Sequence, residues 1–319
     1  MKVTKTQLNT LTLAATLIFT VFYTSCAPQA HNSQATNDSE ISSQDSSHIV
    51  GGINASTTFQ KENGIVALAI TSSGMSGGLS ICTGTLIAKR IVLTAAHCLQ
   101  AAPMTKISKI EVYFINNIQR SLNIGNAQNS ILADKMAPHA DFLKDVTEET
   151  VNLKGWNDIA LIRLKSDAPA TFKMAQLPQA SQALAVVESD KVILSGFGIA
   201  SPIVNKSETN TQTGKVEIVG VPEKSETAGI LRKIEGIPVL KELNADEILL
   251  DQTNSTGACH GDSGGPAFVK QSNGSLVQVG ITSRGTNSIG NCNEKAIYTR
   301  VSSHLAWIEK TKNSLISAK

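Results

Sequence analysis

Three side chains of this sequence could share a proton: His97 in Thr94-Ala95-Ala96-His97-Cys98, Asp158 in Asp158-Ile159-Ala160-Leu161, and Ser263 in Gly261-Asp262-Ser263-Gly264-Gly265-Pro266. A serine hydroxyl is a poor nucleophile near neutral pH and needs an adjacent base. An imidazole titrates near that range, so it can take the proton during attack and return it to a leaving amine. A carboxylate behind the imidazole holds the useful tautomer and stabilises the imidazolium. The chemistry open to such a set is acyl transfer from a peptide bond. Singly, each signal is weak. A lone histidine is more often structural, an aspartate before an apolar run is usually a loop carboxylate, and a serine among glycines is usually a turn. The Gly-Asp-Ser-Gly-Gly-Pro run is uncommon by chance, however, and it follows Ile49-Val50-Gly51-Gly52 and the other two segments in order.

From Ile49 to about Ile308 the chain resembles the trypsin and chymotrypsin family of serine peptidases, whose order His, Asp, Ser differs from that of subtilisins and α/β-hydrolases. The resemblance implies a secreted serine endopeptidase with His97, Asp158 and Ser263 as catalytic triad and the N–H groups of Gly261 and Ser263 as oxyanion hole. Loss of one such donor typically costs roughly 2.7–4 kcal/mol of transition-state stabilisation. It also implies disulfides Cys82–Cys98 and Cys259–Cys292, and a zymogen cut at His48–Ile49 whose new ammonium pairs with Asp262. His48 stands where animal relatives carry Arg or Lys, which argues against a trypsin-like activating protease.

Gly257 matches the base of the primary specificity pocket, Gly285 and Ala296 match its walls, and His260 its rim. These small, uncharged residues imply an apolar side chain in a protein or peptide substrate. Ser283-Arg284-Gly285 matches the segment that pairs with substrate backbone. Arg284 replaces a usual tryptophan, so neighbouring subsites could accept acidic groups. Thr83 and Phe197 also depart from the family, away from the proton transfer. No calcium loop, metal site or cofactor is expected. The rival reading is a catalytically inactive binding homologue, which would typically lack a triad member; an esterase would show another chain order.

The elements that must position these residues read as β-strands. Short β-prone runs separated by turn residues recur after Ser47: Ile65–Ile70, Leu86–Leu93, Ile107–Ile115, Ile159–Leu164, Lys191–Leu194, Lys215–Val219, Leu276–Thr282 and Ala296–Val301. That density predicts an all-β barrel or sandwich. The resemblance selects two six-stranded antiparallel β-barrels, about 49–170 and 171–301, with a C-terminal helix over about 302–316 in a peptidase domain of 49–319. Ile118–Gly155 and Ile199–Gly214 read as surface loops, the first with a short helix near Asp145–Thr150. Ser302 or Ser303 is expected to cap the C-terminal helix.

The N-terminus differs in character. Lys2 and Lys5 precede an apolar run from Leu11 to Tyr23, the pattern of an export signal over residues 1–25. Tyr23-Thr24-Ser25-Cys26 resembles the lipid-attachment box of bacterial lipoproteins, which implies acylation of Cys26 and an outer-membrane tether; the rival is ordinary cleavage after Ala27. Residues 26–48, rich in Ser, Asn, Gln and Asp, are expected to be a disordered tether and pro-segment. Five cysteines are odd for an exported chain, and setting Cys26 aside leaves four to pair. No cysteine between Pro28 and His48 would hold a cut pro-segment, so activation would also release the enzyme from a lipid anchor. With 41% hydrophobic and 17% charged residues and a net charge of +2, the composition is that of a globular protein without a nucleic-acid partner.

Overall fold

The computed structural model describes residues 49–318 except 75–76, 101–103, 126–127, 145, 148–154, 180–187, 202–204, 221–223, 255 and 287–290. The chain divides into Met1–Gln44 and Asp45–Lys319. The signal, the tether, Cys26 and His48 lie outside the described residues, as does most of the helix expected near Asp145–Thr150.

Strands whose side chains are apolar on both faces must be covered on both faces, and a closed barrel packed against a second one supplies that cover. β1 (Ile65–Gly74) shows this at its start, where six consecutive residues are buried. It joins β2 (Leu79–Ala88), β3 (Ile91–Thr94), β4 (Thr105–Tyr113), β5 (Ser130–Pro138) and β6 (Ala160–Leu164) in a closed antiparallel barrel of ring order β1-β2-β3-β6-β5-β4. The second barrel comprises β7 (Lys191–Gly196), β8 (Arg232–Asn244), β9 (Glu247–Asp251), β10 (Pro266–Lys270), β11 (Leu276–Gly285) and β12 (Lys295–Arg300). Its ring runs β8-β9-β12-β11-β10-β7 and closes where β7 pairs with β8. Each barrel holds its own apolar core. A third cluster, including Ile65, Ala67, Tyr113, Phe197 and Phe268, packs residues of one barrel against residues of the other.

The two-barrel expectation holds, with local corrections. The run Leu86–Leu93 is two strands joined by a tight turn at Lys89-Arg90. The stretch Ile118–Gly155 is not all loop: it holds a short helix, at Gln119–Asn123, and it contains β5, whose half-exposed face and charged residues hide the apolar signal. Likewise β8 carries Gly236, Pro238 and several charges, and a register irregularity between Ile234 and Ile237 accommodates them. Asn205–Thr209 and Val216–Gly220 pair with each other as a two-stranded sheet outside both barrels, so Lys215–Val219 is a strand as expected, whereas Ile199–Gly214 is not all loop.

The C-terminal helix (Leu305–Ser317) follows a 3₁₀ turn at Ser302–His304 and has no side-chain cap at its start. Ser303 Oγ instead donates to the Arg300 carbonyl. The other end is held by Arg163 of β6, which donates to the carbonyls of Leu315 and Ala318 while binding Asp134 through two bonds of 2.7–2.8 Å. Orphan carbonyls at a helix end thereby gain a buried cationic partner.

Candidate active site

The sequence places His97 just beyond β3, Asp158 just before β6 and Ser263 just before β10, so barrel ends carry all three side chains. His97 begins a 3₁₀ turn braced by the Cys82–Cys98 disulfide. Its Nδ1 lies 2.7 Å from Asp158 Oδ2, and its backbone N–H donates to Asp158 Oδ1 at 2.9 Å. Asp158 is 1% exposed, and Oδ2 also accepts a 2.6 Å bond from Ser283 Oγ. Burial alone would raise the Asp158 carboxyl; the charge and hydrogen bonds of His97, with the Ser283 bond, more than offset it and hold the pKa below the usual value. Burial likewise disfavours the charged imidazole, but the Asp158 charge and hydrogen bond leave the His97 pKa raised. Imidazole and serine flank one disulfide: Cys98 Sγ is 3.9 Å from His97 Nε2 and 3.6 Å from the Ser263 carbonyl oxygen. Among the described residues no hydrogen bond joins Ser263 Oγ to His97.

The loop of Ser263 is shaped for donors. Gly261 has φ +98°, a region that favours glycine. The N–H groups of Asp262, Gly264 and Gly265 all reach backbone carbonyls, whereas those of Gly261 and Ser263 bond to no acceptor among the described residues. Thr83 pins this loop from behind. Its N–H donates to the Ser263 carbonyl at 2.8 Å, and its hydroxyl donates to the Gly261 carbonyl while accepting from Phe197 N–H, both at 3.0 Å. Nothing in the local sequence signals that role, because Thr83 acts on residues about 180 positions away.

Asp262 is 1% exposed and accepts N–H bonds from Gly198 at 2.7 Å and Cys259 at 2.8 Å. Burial pushes its carboxyl up to about 6, although those bonds, Arg232 and His260 act the other way. Ile49 is 1% exposed, and Val50 pairs with Gly257, whose N–H donates to the Val50 carbonyl at 2.8 Å. The start of the domain therefore lies against the segment that leads into Asp262.

Beside Ser263 opens a cavity of about 590 Å³, lined in part by Ala258, His260, Ser283, Gly285 and Ala296, with Cys292 of the Cys259–Cys292 disulfide in its wall. Gly257 does not line it; the side chain there is Gln252, 2% exposed. Its amide clasps the Ala258 backbone, accepting from N–H at 3.0 Å and donating to C=O at 3.1 Å. A Cβ on Gly257, whose φ is +144°, would sit 2.3 Å from Gln252 Cδ, so glycine there admits the glutamine. Arg284 also departs from expectation. Its guanidinium is committed to Glu247 and stacks 3.8 Å from the Trp156 ring, so it is not a free cation for acidic substrate groups. Among the described residues one group has metal-like proximity, Cys82, His97 and Cys98, and its two sulfurs are bonded to each other.

Comparison with known proteins supplies the remaining findings. The family model described as Trypsin matches residues 49–308. The chain is 27% identical to a chymotrypsin of Phaedon cochleariae over 72% of this chain and 71% of that protein. It is 28% identical to serine protease SP24D of Anopheles gambiae over 82% of this chain and 86% of that one. It resembles the solved structure of HL collagenase with a TM-score of 0.59 at 20% identity, over 83% of this chain and 99% of that one. The GrC structure gives a TM-score of 0.58 at 22% identity, over 83% and 100%.

Proposed function

The chain belongs to the trypsin family and is a serine endopeptidase, and from that premise we propose that His97, Asp158 and Ser263 are its catalytic triad. The observation that carries the reading is the buried Asp158 carboxylate, 2.7 Å from His97 Nδ1 and held on its other side by Ser283. That bond presents Nε2 to the cleft as a base. Ser263 Oγ attacks the scissile carbonyl and its proton passes to Nε2. The tetrahedral oxyanion takes the two uncommitted N–H groups of Gly261 and Ser263. His97 then protonates the leaving amine, and water reverses the sequence on the acyl-enzyme. The alignment of Ser263 on Nε2 tightens when substrate fills the cleft.

The primary pocket takes an apolar side chain. Ala258, Gly285 and Ala296 line it, Glu294 is the one carboxylate among the described lining residues, and the Gln252 amide is already paired with backbone. The enzyme is made as a zymogen: cutting His48–Ile49 frees an ammonium beside a region where Asp262 is buried without a salt bridge among the described residues. Export and acylation of Cys26 are supported by the pattern of residues 1–26. Release from that tether follows from the same cut.

The test is labelling with a fluorophosphonate after cleavage at His48–Ile49. Stoichiometric modification of Ser263, absent in Ser263→Ala, is expected. A cleaved, folded chain that takes no label is instead the inactive binding homologue. A peptide-library digest with the same sample reads the pocket preference.

A further inference from the structure

Glu247 opens β9 and is 1% exposed. A carboxylate taken out of water needs a full set of donors, and this one has four. Arg284 reaches both oxygens, Nη1 to Oε1 at 2.7 Å and Nη2 to Oε2 at 3.1 Å. The Trp156 backbone N–H donates to Oε1 at 3.1 Å and Asn244 Nδ2 to Oε2 at 2.9 Å. The guanidinium lies over the Trp156 ring, and its Nη1 is 3.4 Å from Ser283 Oγ, the hydroxyl that donates to Asp158. Trp156 precedes Asp158 by two positions and Arg284 follows Ser283 directly. One buried carboxylate thus ties the Asp158 segment of the first barrel to the Ser283 strand of the second.

From this geometry, and resting on the triad reading above, we infer that Glu247 and Arg284 are a positioning pair for the His97–Asp158 couple. Their bidentate bond fixes the two segments that hold Asp158, and their opposite charges cancel behind Ser283. A net charge left there would act on the imidazolium through protein instead of water. The other titratable groups around the couple stay unchanged in this comparison. His304, bonded to Asn157, and His139 beside it pack behind Asp158. Asp246 lies near Gly155, Asp262 and Arg232 lie beyond Ser263, and His260 stands at the cavity rim.

The experiment compares pH profiles of kcat/KM for the full chain cleaved at His48–Ile49, as wild type, E247Q, R284M and the double variant. E247Q leaves the Arg284 cation and disfavours the imidazolium, so the acid limb moves down by about 0.5 unit or more. R284M leaves the Glu247 anion, and the limb moves up by a similar amount. The double variant returns it towards wild type. A pair that served only stability would lower melting temperature and kcat in both single variants without opposite movements of the limb. An unmoved limb, or movement in one direction for both, overturns the inference. Should R284M fail to fold, R284Q takes its place, because its neutral amide can still donate to Glu247 and the comparison of opposite limb movements is kept. Fluorophosphonate labelling of the wild type is run alongside: a wild type that takes no label sinks the triad reading, and the pair's role with it.

Discussion

Asp262 provides the sharpest quantitative test. Its carboxyl moves from 3.8 to about 6 because it is buried without a cation in contact. Two units at about 1.36 kcal/mol each come to about 3 kcal/mol. The folded-state pKa lies above the unfolded one, so the fold favours the protonated acid. The stability this contributes is present below pH 3.8 and is lost as pH rises through about 6. In the uncleaved chain, with Ser263→Ala to prevent self-digestion, urea unfolding of the Asp262 form and of Asp262→Asn should therefore be compared across this window. The difference between them is expected to shift by about 3 kcal/mol in favour of asparagine as pH rises, equivalent to roughly 6–12 °C in Tm. The fixed cost of pointing an amide at the Cys259 N–H does not vary with pH and drops out of that shift. After cleavage before Ile49 the preference should reverse, because the new ammonium would pair with the carboxylate. A difference that stays flat with pH, or moves towards aspartate in the uncleaved chain, would refute the reasoning: Asp262 would then already be stabilised as an anion, and no electrostatic drive for activation would remain.

Other outcomes follow from the same geometry. Because the His97 pKa is raised, kcat/KM should fall with decreasing pH through a midpoint above 6.5, read from a pH–rate profile. Asp158→Asn should lower kcat by roughly 10³–10⁴-fold, by favouring the wrong imidazole tautomer. Thr83→Val strands the buried Phe197 N–H and unpins Gly261. It should cost about 1–3 kcal/mol in stability by urea melts and lower kcat more than it raises KM. Gln252→Ala opens the base of the cavity, so a peptide-library digest should shift towards larger apolar side chains by about 10-fold.

The glycine-flanked serine, the histidine before a cysteine and the aspartate before an apolar run were readable in order along the chain, whereas the cysteine pairing came only from the family resemblance. Each of those three residues sits in a local motif whose members are neighbours in sequence. The dense short strands predicted an all-β fold for a similar reason, since alternation and turn residues are local properties. β5 and β8 carry no clear strand signal in the sequence because charges, a glycine and a proline break their patterns; pairing with partners far along the chain makes them strands. Only the tertiary structure put Gln252 into the cavity, placed Thr83 behind Gly261 and closed Glu247 upon Arg284. Each of these is a contact made through space, settled by which side chain reaches a buried polar group and satisfies it, and residue order along the chain carries no record of that competition.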